Sequence, residues 1–215
     1  MKTENCPLCK YTNTNHFSKS ENRIYLHCSN CDLVFVPTEY FLSQEDEKKK
    51  YDKHQNSPDN QGYRDFLNRL MKPLCSHITK GEIGLDFGSG PEPTLSVMME
   101  ELGYKMDIYD YFYHNEPKVF ENSYDFITTT EVIEHLHKPY DEILKLWKCL
   151  KSGGVLGIMT AFRPSEIKFE DWYYKRDLTH VRFFTETSFR WLATSLDAEL
   201  IIPQKDVVIL KKRNR

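Results

Sequence analysis

The chain has 215 residues, of which 40% are hydrophobic, enough for one domain of ordinary size with a packed core and a small appendage. Its 29 lysines and arginines against 32 aspartates and glutamates give a net charge of −3, which excludes a whole-chain attraction to nucleic acid or to an anionic membrane. No apolar run approaches the roughly 20 residues of a membrane span, and MKTENCPLCK has no apolar signal-peptide core, so we predict a cytoplasmic protein.

Two Cys-x-x-Cys pairs lie near the N-terminus, Cys6 with Cys9 and Cys28 with Cys31. Each pair can offer two thiolates to one ion, and two pairs complete the closed tetrahedron of a structural zinc site. Disulfides are the alternative, which a reducing compartment disfavours. The segments NRIYLHC and DLVFV are typical of short strands. We therefore predict a zinc ribbon over residues 1–37, with a core of its own, that folds only around its ion.

A polar, highly charged stretch follows the ribbon, SQEDEKKKYDKHQNSPDNQGY. This composition predicts a linker, or a helix that rests on a larger domain. We assign residues 38–63 to it. His54, within YDKHQN, is a candidate for a substrate pocket if this segment folds over a binding site.

From residue 64 to residue 215, strand-like and helical patterns alternate. Strands are predicted at EIGLDF, YKMDIYD, YDFITTT and VLGIMT, and helices at RDFLNRLMKPLCSHI, TLSVMMEEL, YDEILKLWKCL and TETSFRWLATSL. Thr185 is the expected N-cap of the last helix. The final strands, AELIIP and DVVILKK, are joined by a short turn near Pro203 and must pair antiparallel. The pattern predicts an α/β fold with a doubly wound, mostly parallel sheet and an antiparallel C-terminal pair.

The stretch LDFGSGPEP turns the chain at the end of the first strand of this domain. Gly88 and Gly90 let the backbone turn tightly and approach a ligand at the edge where such sheets bind them. Asp110 ends the second strand, where a carboxylate suits the two hydroxyls of an adenosine ribose. Glu92 and two prolines stand where a dinucleotide site needs a third glycine and N–H donors. S-adenosylmethionine, which carries no phosphate, therefore fits better than a dinucleotide.

These residues, with YDFITTTEVIEHL and LKSGGVLGIMT, resemble the class I S-adenosylmethionine-dependent methyltransferases over about residues 64–210. The resemblance is strongest to the branch that includes ubiquinone-biosynthesis methylases, and several members carry an N-terminal ribbon. It implies a Rossmann-like sheet and methyl transfer from S-adenosylmethionine. It also implies the cofactor-binding residues. Asp86, Gly88 and Gly90 would surround the methionine part, and Asp110 would bind the ribose hydroxyls. Tyr111 would lie near the adenine and Glu131 near the sulfonium.

Two departures from this family concern the adenine side of the site. Glu92 replaces the third glycine of the family motif, and only 14 residues separate Asp110 from Asp125. Members of the family usually fit a helix, a strand and another helix between these two positions. We therefore expect about six strands instead of seven, and adenine contacts that differ from those of the family.

The segment EDWYYKRDLTHVRFF follows the last parallel strand, so it can arch over the crevice at the strand ends. Its aromatic side chains would exclude water, and a histidine there can take a proton near neutral pH. The candidate catalytic residues are His180 and, matching a frequent histidine of the family branch, His135. The candidate pocket residues of this segment are Trp172, Tyr173 and Asp177. The alternative is a packed loop in which His180 caps a helix and His135 anchors a turn.

Three functions stay open at this point. The first is methylation of a small molecule, supported by the charge balance and the aromatic segment. The second is methylation of RNA or protein, with the ribbon holding the macromolecule, although that ribbon carries few basic residues. The third is a cofactor-binding or scaffold module without activity, against which the intact glycines and Asp110 argue.

Overall fold

The computed structural model describes residues 4–53 and 56–214. Three short strands come first, β1 (Thr14–Lys19), β2 (Ile24–Cys28) and β3 (Val34–Phe35), followed by two helices, α1 (Gln44–Tyr51) and α2 (Gln61–Leu74). The remaining elements alternate in chain order: β4 (Ile83–Phe87), α3 (Thr94–Glu101), β5 (Lys105–Tyr109), β6 (Tyr124–Thr130), α4 (Pro139–Cys149), β7 (Leu150–Met159), β8 (Arg182–Phe183), α5 (Glu186–Ser195), β9 (Ala198–Gln204) and β10 (Val207–Lys212).

Six strands form the main sheet, in the order β5-β4-β6-β7-β10-β9. Strands β5, β4, β6 and β7 pair in parallel, whereas β10 pairs antiparallel with both β7 and β9. The predicted α/β fold, the six strands and the antiparallel final pair are confirmed. Between β5 and β6 the chain makes only a short 3-10 helix, Pro117–Glu121. The order reverses at β4, which opens a crevice at the carboxyl ends of the neighbouring strands.

Helices cover both faces of this sheet because each presents one apolar stripe. Helices α2 and α3 pack on one face around Leu70, Met98 and Phe126. Helices α4 and α5 pack on the other around Leu146 and Phe189. The predicted N-cap of α5 is confirmed, since the Thr185 hydroxyl accepts a hydrogen bond from the Ser188 backbone within a capping box.

The N-terminal ribbon shares its core with the main domain, so the expectation of a separate core is wrong. Strands β1, β2, β3 and β8 form one antiparallel sheet, in which Val34 pairs with Phe183. The buried Cys6 and Leu33 belong to the same apolar cluster as Phe189. The ribbon has too few apolar residues to bury each other, and it buries them instead against α5 and the chain around β8. The sequence pattern also missed β1, whose residues are mostly polar.

The charged stretch forms a helix that rests on the larger domain, one of the two outcomes predicted for it. Ser43 caps α1 by accepting a hydrogen bond from the Asp46 backbone, and ion pairs between successive turns support its exposed side. We call residues 43–53 the lid segment. Within the described residues, no helix is long and apolar enough to cross a membrane.

Candidate functional site

The two glycines after β4 make the floor of the crevice. Gly88 and Gly90 have φ values of +82° and +68°, a region that glycine adopts at no steric cost. A Cβ on Gly88 would lie 2.3 Å from Val132 Cγ2, so Gly88 is required by the turn that follows β6. A Cβ on Gly90 would meet nothing closer than 3.9 Å, which leaves open space beside its backbone. We call this open space beside the Gly90 backbone the cradle; the expected contact of Gly88 and Gly90 with a ligand stays a prediction.

Asp110 joins the turns that follow β4 and β5. Its Oδ2 accepts a hydrogen bond of 2.9 Å from the Gly90 N–H, and its Oδ1 accepts two more from the N–H groups of Phe112 and Tyr113. A carboxylate has about four acceptor positions, so one stays available for a ligand hydroxyl. Tyr111, the expected adenine neighbour, is exposed, and its hydroxyl accepts a hydrogen bond from Gln44 of the lid segment.

Asp86 lies beneath the cradle, where only 2% of its surface is exposed. Its carboxylate accepts hydrogen bonds from the Thr128 hydroxyl at 2.9 Å and from the Ser96 hydroxyl at 3.4 Å. Burial raises the pKa of this carboxyl to about 6, against these two hydrogen bonds. The polar contacts of Asp86 are thus internal to the fold, and its expected contact with the methionine part of a cofactor stays a prediction.

The lid segment runs over this crevice and contacts both of its sides. The Tyr113 hydroxyl donates to the Asp52 carboxylate at 2.7 Å on the cradle side. On the opposite side, Glu47 Oε1 lies 3.1 Å from His137 Nε2, and Tyr51 packs edge to face on His135. Predicted pocket residue His54 lies outside the described residues.

Four ionisable side chains meet where β6 ends and where the β7–β8 loop crosses it. We call them the buried cluster: Glu131, Glu134, His135 and His180. Glu134 is fully buried, and its two carboxylate oxygens accept hydrogen bonds from Thr160 at 2.9 Å and from Tyr174 at 2.5 Å. The Tyr174 hydroxyl also lies 3.2 Å from Glu131 Oε2. Burial, and then the neighbouring Glu134, raise the pKa of Glu131 to about 8.

Backbone carbonyls fix both histidines of the buried cluster. His180 Nδ1 lies 2.7 Å from the Tyr174 carbonyl oxygen, and His135 Nδ1 lies 3.2 Å from that of Thr179. A carbonyl can only accept, so each Nδ1 carries the proton and each Nε2 has a lone pair in the neutral ring. The rings meet edge to face, with centroids 4.7 Å apart. Burial, followed by His135, lowers the pKa of His180 to about 4, which keeps it neutral at physiological pH.

The predicted pocket residues of the β7–β8 loop divide into two groups. Trp172 is buried among Phe169 and Phe183, and the Asp177 carboxylate accepts bonds from the Thr179 N–H and hydroxyl, so both hold the loop. Tyr173 is 68% exposed and is free to meet a ligand at the rim. The sequence analysis did not identify Glu134 or Tyr174 as site residues. The spacing of Glu131 and Glu134 in EVIEHL, three residues apart, could have indicated that Glu134 belongs to the same site.

The four cysteine sulfurs of the ribbon lie close together in one group. Cys6 Sγ and Cys31 Sγ are 3.6 Å apart, Cys9 Sγ and Cys28 Sγ are 3.4 Å apart, and all four lie within 4.8 Å of one another. Zn–S bonds of about 2.3 Å place the sulfurs of a tetrahedron about 3.8 Å apart. All four are free thiols, so the donor set fits a four-coordinate zinc ion, as predicted.

Comparison with known proteins gives a family and a fold. A family model described as a methyltransferase domain matches residues 51–201. A 1,6-didemethyltoxoflavin-N1-methyltransferase from Burkholderia thailandensis, solved with 1,6-didemethyltoxoflavin and S-adenosylhomocysteine, is 14% identical with a TM-score of 0.51, covering 87% of this chain and 99% of that one. The PH0226 protein from Pyrococcus horikoshii is 13% identical with a TM-score of 0.49, covering 78% and 99%. No curated protein sequence matches the chain.

Proposed function

This chain belongs to the family of S-adenosylmethionine-dependent methyltransferase domains, and on that premise we propose that it methylates a small molecule within the crevice. The observation that carries the proposal is the pairing, under one lid segment, of an open glycine cradle with a buried polar cluster. The cradle suits the cofactor, and the cluster suits a compact acceptor that can enter a narrow, water-poor space.

We assign the cofactor to the cradle side. Gly90 offers bare backbone, Asp110 has one acceptor position for a ribose hydroxyl, and Tyr111 lies beside them near the adenine. Asp86 and Gly88 support this surface from within, and we assign Glu131, the member of the buried cluster next to the end of β6, to the sulfonium side of the cofactor. S-adenosylmethionine, when bound, supplies an electrophilic methyl group on a sulfonium ion.

The chain's own contribution is alignment and handling of a proton. The Nε2 atoms of His180 and His135 are hydrogen-bond acceptors that can orient an acceptor hydroxyl or amine towards the methyl group. We assign His180 the role of receiving the acceptor's proton, because the Glu134 carboxylate favours the imidazolium that would form. Tyr173 and the aromatic side chains of the β7–β8 loop wall the entrance.

The ribbon supports a small-molecule acceptor more than a macromolecule. Its Arg23 is buried, and its guanidinium donates to the carbonyl oxygens of Lys175, Asp177 and Leu178 in the β7–β8 loop. Arg23 therefore holds the loop beside His180 and is not available to bind phosphate groups of a macromolecule. A zinc ion in the cysteine cluster would be structural, because four sulfurs leave no open position for chemistry.

Calorimetric titration of the purified chain with S-adenosylmethionine, its demethylated product and NAD tests the cofactor assignment. We expect both methionine derivatives to bind and NAD to fail. Asp110→Ala should weaken S-adenosylmethionine binding about 10- to 150-fold through the loss of charge-assisted hydrogen bonds. Asp65→Ala, an exposed aspartate on α2, is the matched control and should bind as wild type. Preference for NAD, or an unchanged affinity in Asp110→Ala, would refute the assignment.

A further inference from the structure

We propose that Glu134, His135 and His180 form a divalent-metal site, separate from the cysteine cluster, that holds the methyl acceptor through its oxygen atoms. One ligand atom from each of these residues lies within 4.8 Å of the others. This inference rests on the proposed function, because it assigns the chemistry of the acceptor to the same crevice.

The distances suit a single ion. His135 Nε2 lies 3.8 Å from Glu134 Oε1. With bonds of about 2.1 Å to imidazole nitrogen and carboxylate oxygen, a tetrahedral ion holds its ligand atoms about 3.4 Å apart. The pair formed by His135 Nε2 and Glu134 Oε1 is close to that separation, and the other pairs, which lie within 4.8 Å, must approach by up to about 1.4 Å on binding an ion.

The groups behind the three ligands are those that a metal site requires. Both histidines donate Nδ1–H to backbone carbonyls, which leaves Nε2 as the ring nitrogen with a lone pair for a metal ion. Thr160 and Tyr174 hold the Glu134 carboxylate by donating to its two oxygens. Hydrogen bonds from other parts of the chain thus fix the orientation of the two imidazoles and of the Glu134 carboxylate, and this orientation does not depend on a bound ligand.

The charge balance of the buried cluster also favours a cation. Two carboxyl groups, Glu131 and Glu134, share the Tyr174 hydroxyl in a buried space. Across residues 4–53 and 56–214, neither carboxylate forms an ion pair with a lysine or an arginine, and the basic neighbours of Glu134 are the two histidines of the cluster. Burying the Glu134 carboxylate without a lysine or arginine partner is costly, and a divalent ion would supply a compensating positive charge.

The donor set indicates which ions fit. Two imidazoles and one carboxylate suit Mn²⁺, Fe²⁺, Co²⁺ or Zn²⁺ better than Mg²⁺, which prefers oxygen ligands alone. Three protein ligands leave positions open, and an acceptor with a hydroxyl and a second neighbouring oxygen can fill two of them. In this arrangement the His180 imidazole is a metal ligand, so the ion replaces it in the proton-handling role that we assigned to His180 under the proposed function.

The methyl-transfer step then balances without a protein base. Bound to the ion, the acceptor hydroxyl is more acidic, and its proton leaves to water. The oxygen lone pair forms the new bond to the methyl carbon, and the carbon–sulfur bond breaks. Its electron pair stays on sulfur, so the sulfonium becomes a neutral thioether.

Titration of the full, zinc-loaded chain with MnCl₂ and, separately, CoCl₂ tests the site, with the spin-resonance signal of free Mn²⁺ as the readout. We expect one further ion per chain beyond the zinc. His180→Ala and Glu134→Gln should each weaken Mn²⁺ binding at least about 10-fold. His137→Ala, a histidine that pairs with Glu47 outside the cluster, should bind Mn²⁺ as wild type. His135→Gln replaces Glu134→Gln if the latter does not fold.

The outcomes separate this proposal from the proposed function. A folded wild-type chain that binds neither Mn²⁺ nor Co²⁺, or a folded His180→Ala that binds Mn²⁺ as tightly as wild type, overturns the metal site. Retained S-adenosylmethionine binding in that case leaves the proposed function standing. Specific Mn²⁺ binding without S-adenosylmethionine binding would support the metal site and remove the proposed function.

Discussion

At the scale of single residues, Gly88 and Asp86 explain why the crevice keeps its shape. Gly88 has no room for a side chain because the turn after β6 brings Val132 against it. Asp86 holds the end of β4 to β6 through the Thr128 hydroxyl, away from water. Both residues therefore fix the position at which β4 ends, and this position in turn determines where the open space beside Gly90 lies.

Gly88→Ala should destabilise the chain by more than backbone strain alone. The new Cβ must displace Val132, an overpacking cost of about 1–3 kcal/mol in addition to the strain of a positive φ. Gly81→Ala is the matched control, because Gly81 has a φ of +89° but a Cβ added there would meet nothing within 4 Å. Urea unfolding of both variants measures the difference. Equal losses of stability would contradict the clash with Val132.

Asp86 should make stability depend on pH. Its folded pKa of about 6 lies above the ordinary value of 3.8, so the folded chain binds this proton more tightly than the unfolded chain. The resulting stability is present in full at low pH and is lost as the pH rises through 6, at about 1.4 kcal/mol per pKa unit, or about 3 kcal/mol. Unfolding measured between pH 4 and pH 7 should therefore show a smaller decline in Asp86→Asn than in wild type. Parallel curves would exclude a raised pKa.

At the scale of elements, the ribbon strands and the β7–β8 loop behave as one unit. Arg23, at the edge of β2, donates to three carbonyl oxygens of the loop, and the Ser18 hydroxyl of β1 donates to Glu170. Arg182 of β8 in turn donates to the Val36 carbonyl just after β3. These bonds place the loop, and with it His180, by reference to the ribbon.

Arg23→Met should loosen the β7–β8 loop while leaving the cofactor side intact. It removes the charged donors from three partly buried carbonyl oxygens but keeps an unbranched apolar stem. Hydrogen exchange of the amides of residues 173–180 should become at least about 10-fold faster, and the affinity for S-adenosylmethionine should stay within a few-fold. Lys19→Ala, at the end of the exposed edge strand β1, is the control. Unchanged exchange in Arg23→Met would show that the loop is held by other contacts.

At the scale of the whole molecule, the ribbon and the methyltransferase domain are joined by shared packing and hydrogen bonds. They share an apolar core and a strand pair, and Ser188 of α5 donates to the Cys31 carbonyl. Arg163, on the chain that leaves β7, pairs with Asp32 beside the cysteine cluster. If zinc occupies the cysteine cluster, as its donor set predicts, removing it should therefore also destabilise the crevice.

Cys28→Ser tests this coupling through metal content and thermal unfolding. We expect zinc to fall from one ion to none per chain, and the single unfolding transition of the whole chain to shift to lower temperature. Cys75→Ser, a cysteine of the α2 C-cap outside the cluster, should keep its zinc and its transition. Two separate transitions in Cys28→Ser, with the upper one unchanged, would restore the interpretation of independent domains.

Local patterns predicted the sheet, the helices and the cysteine site because these depend on periodicity and on spacing in the chain. The apolar stripe of α4 and the capping threonine of α5 are visible in a few consecutive residues. The buried cluster was only half predicted, since Glu134 and Tyr174 lie 40 residues apart and meet through the fold. The shared core escaped prediction for the same reason: Val34 gives no local sign that its partner is Phe183.

The lid segment has a consequence for ligand exchange in a catalytic cycle. It contacts Tyr113 on the cradle side and His135 and His137 on the side of the buried cluster, so one helix closes both halves of the crevice. Opening the lid segment to admit or release one ligand also exposes the half of the crevice that holds the other ligand. Cofactor exchange and product escape would then share one gate, so each opening of the lid segment would let both ligands exchange. Turnover would be limited by that opening if it is slower than methyl transfer.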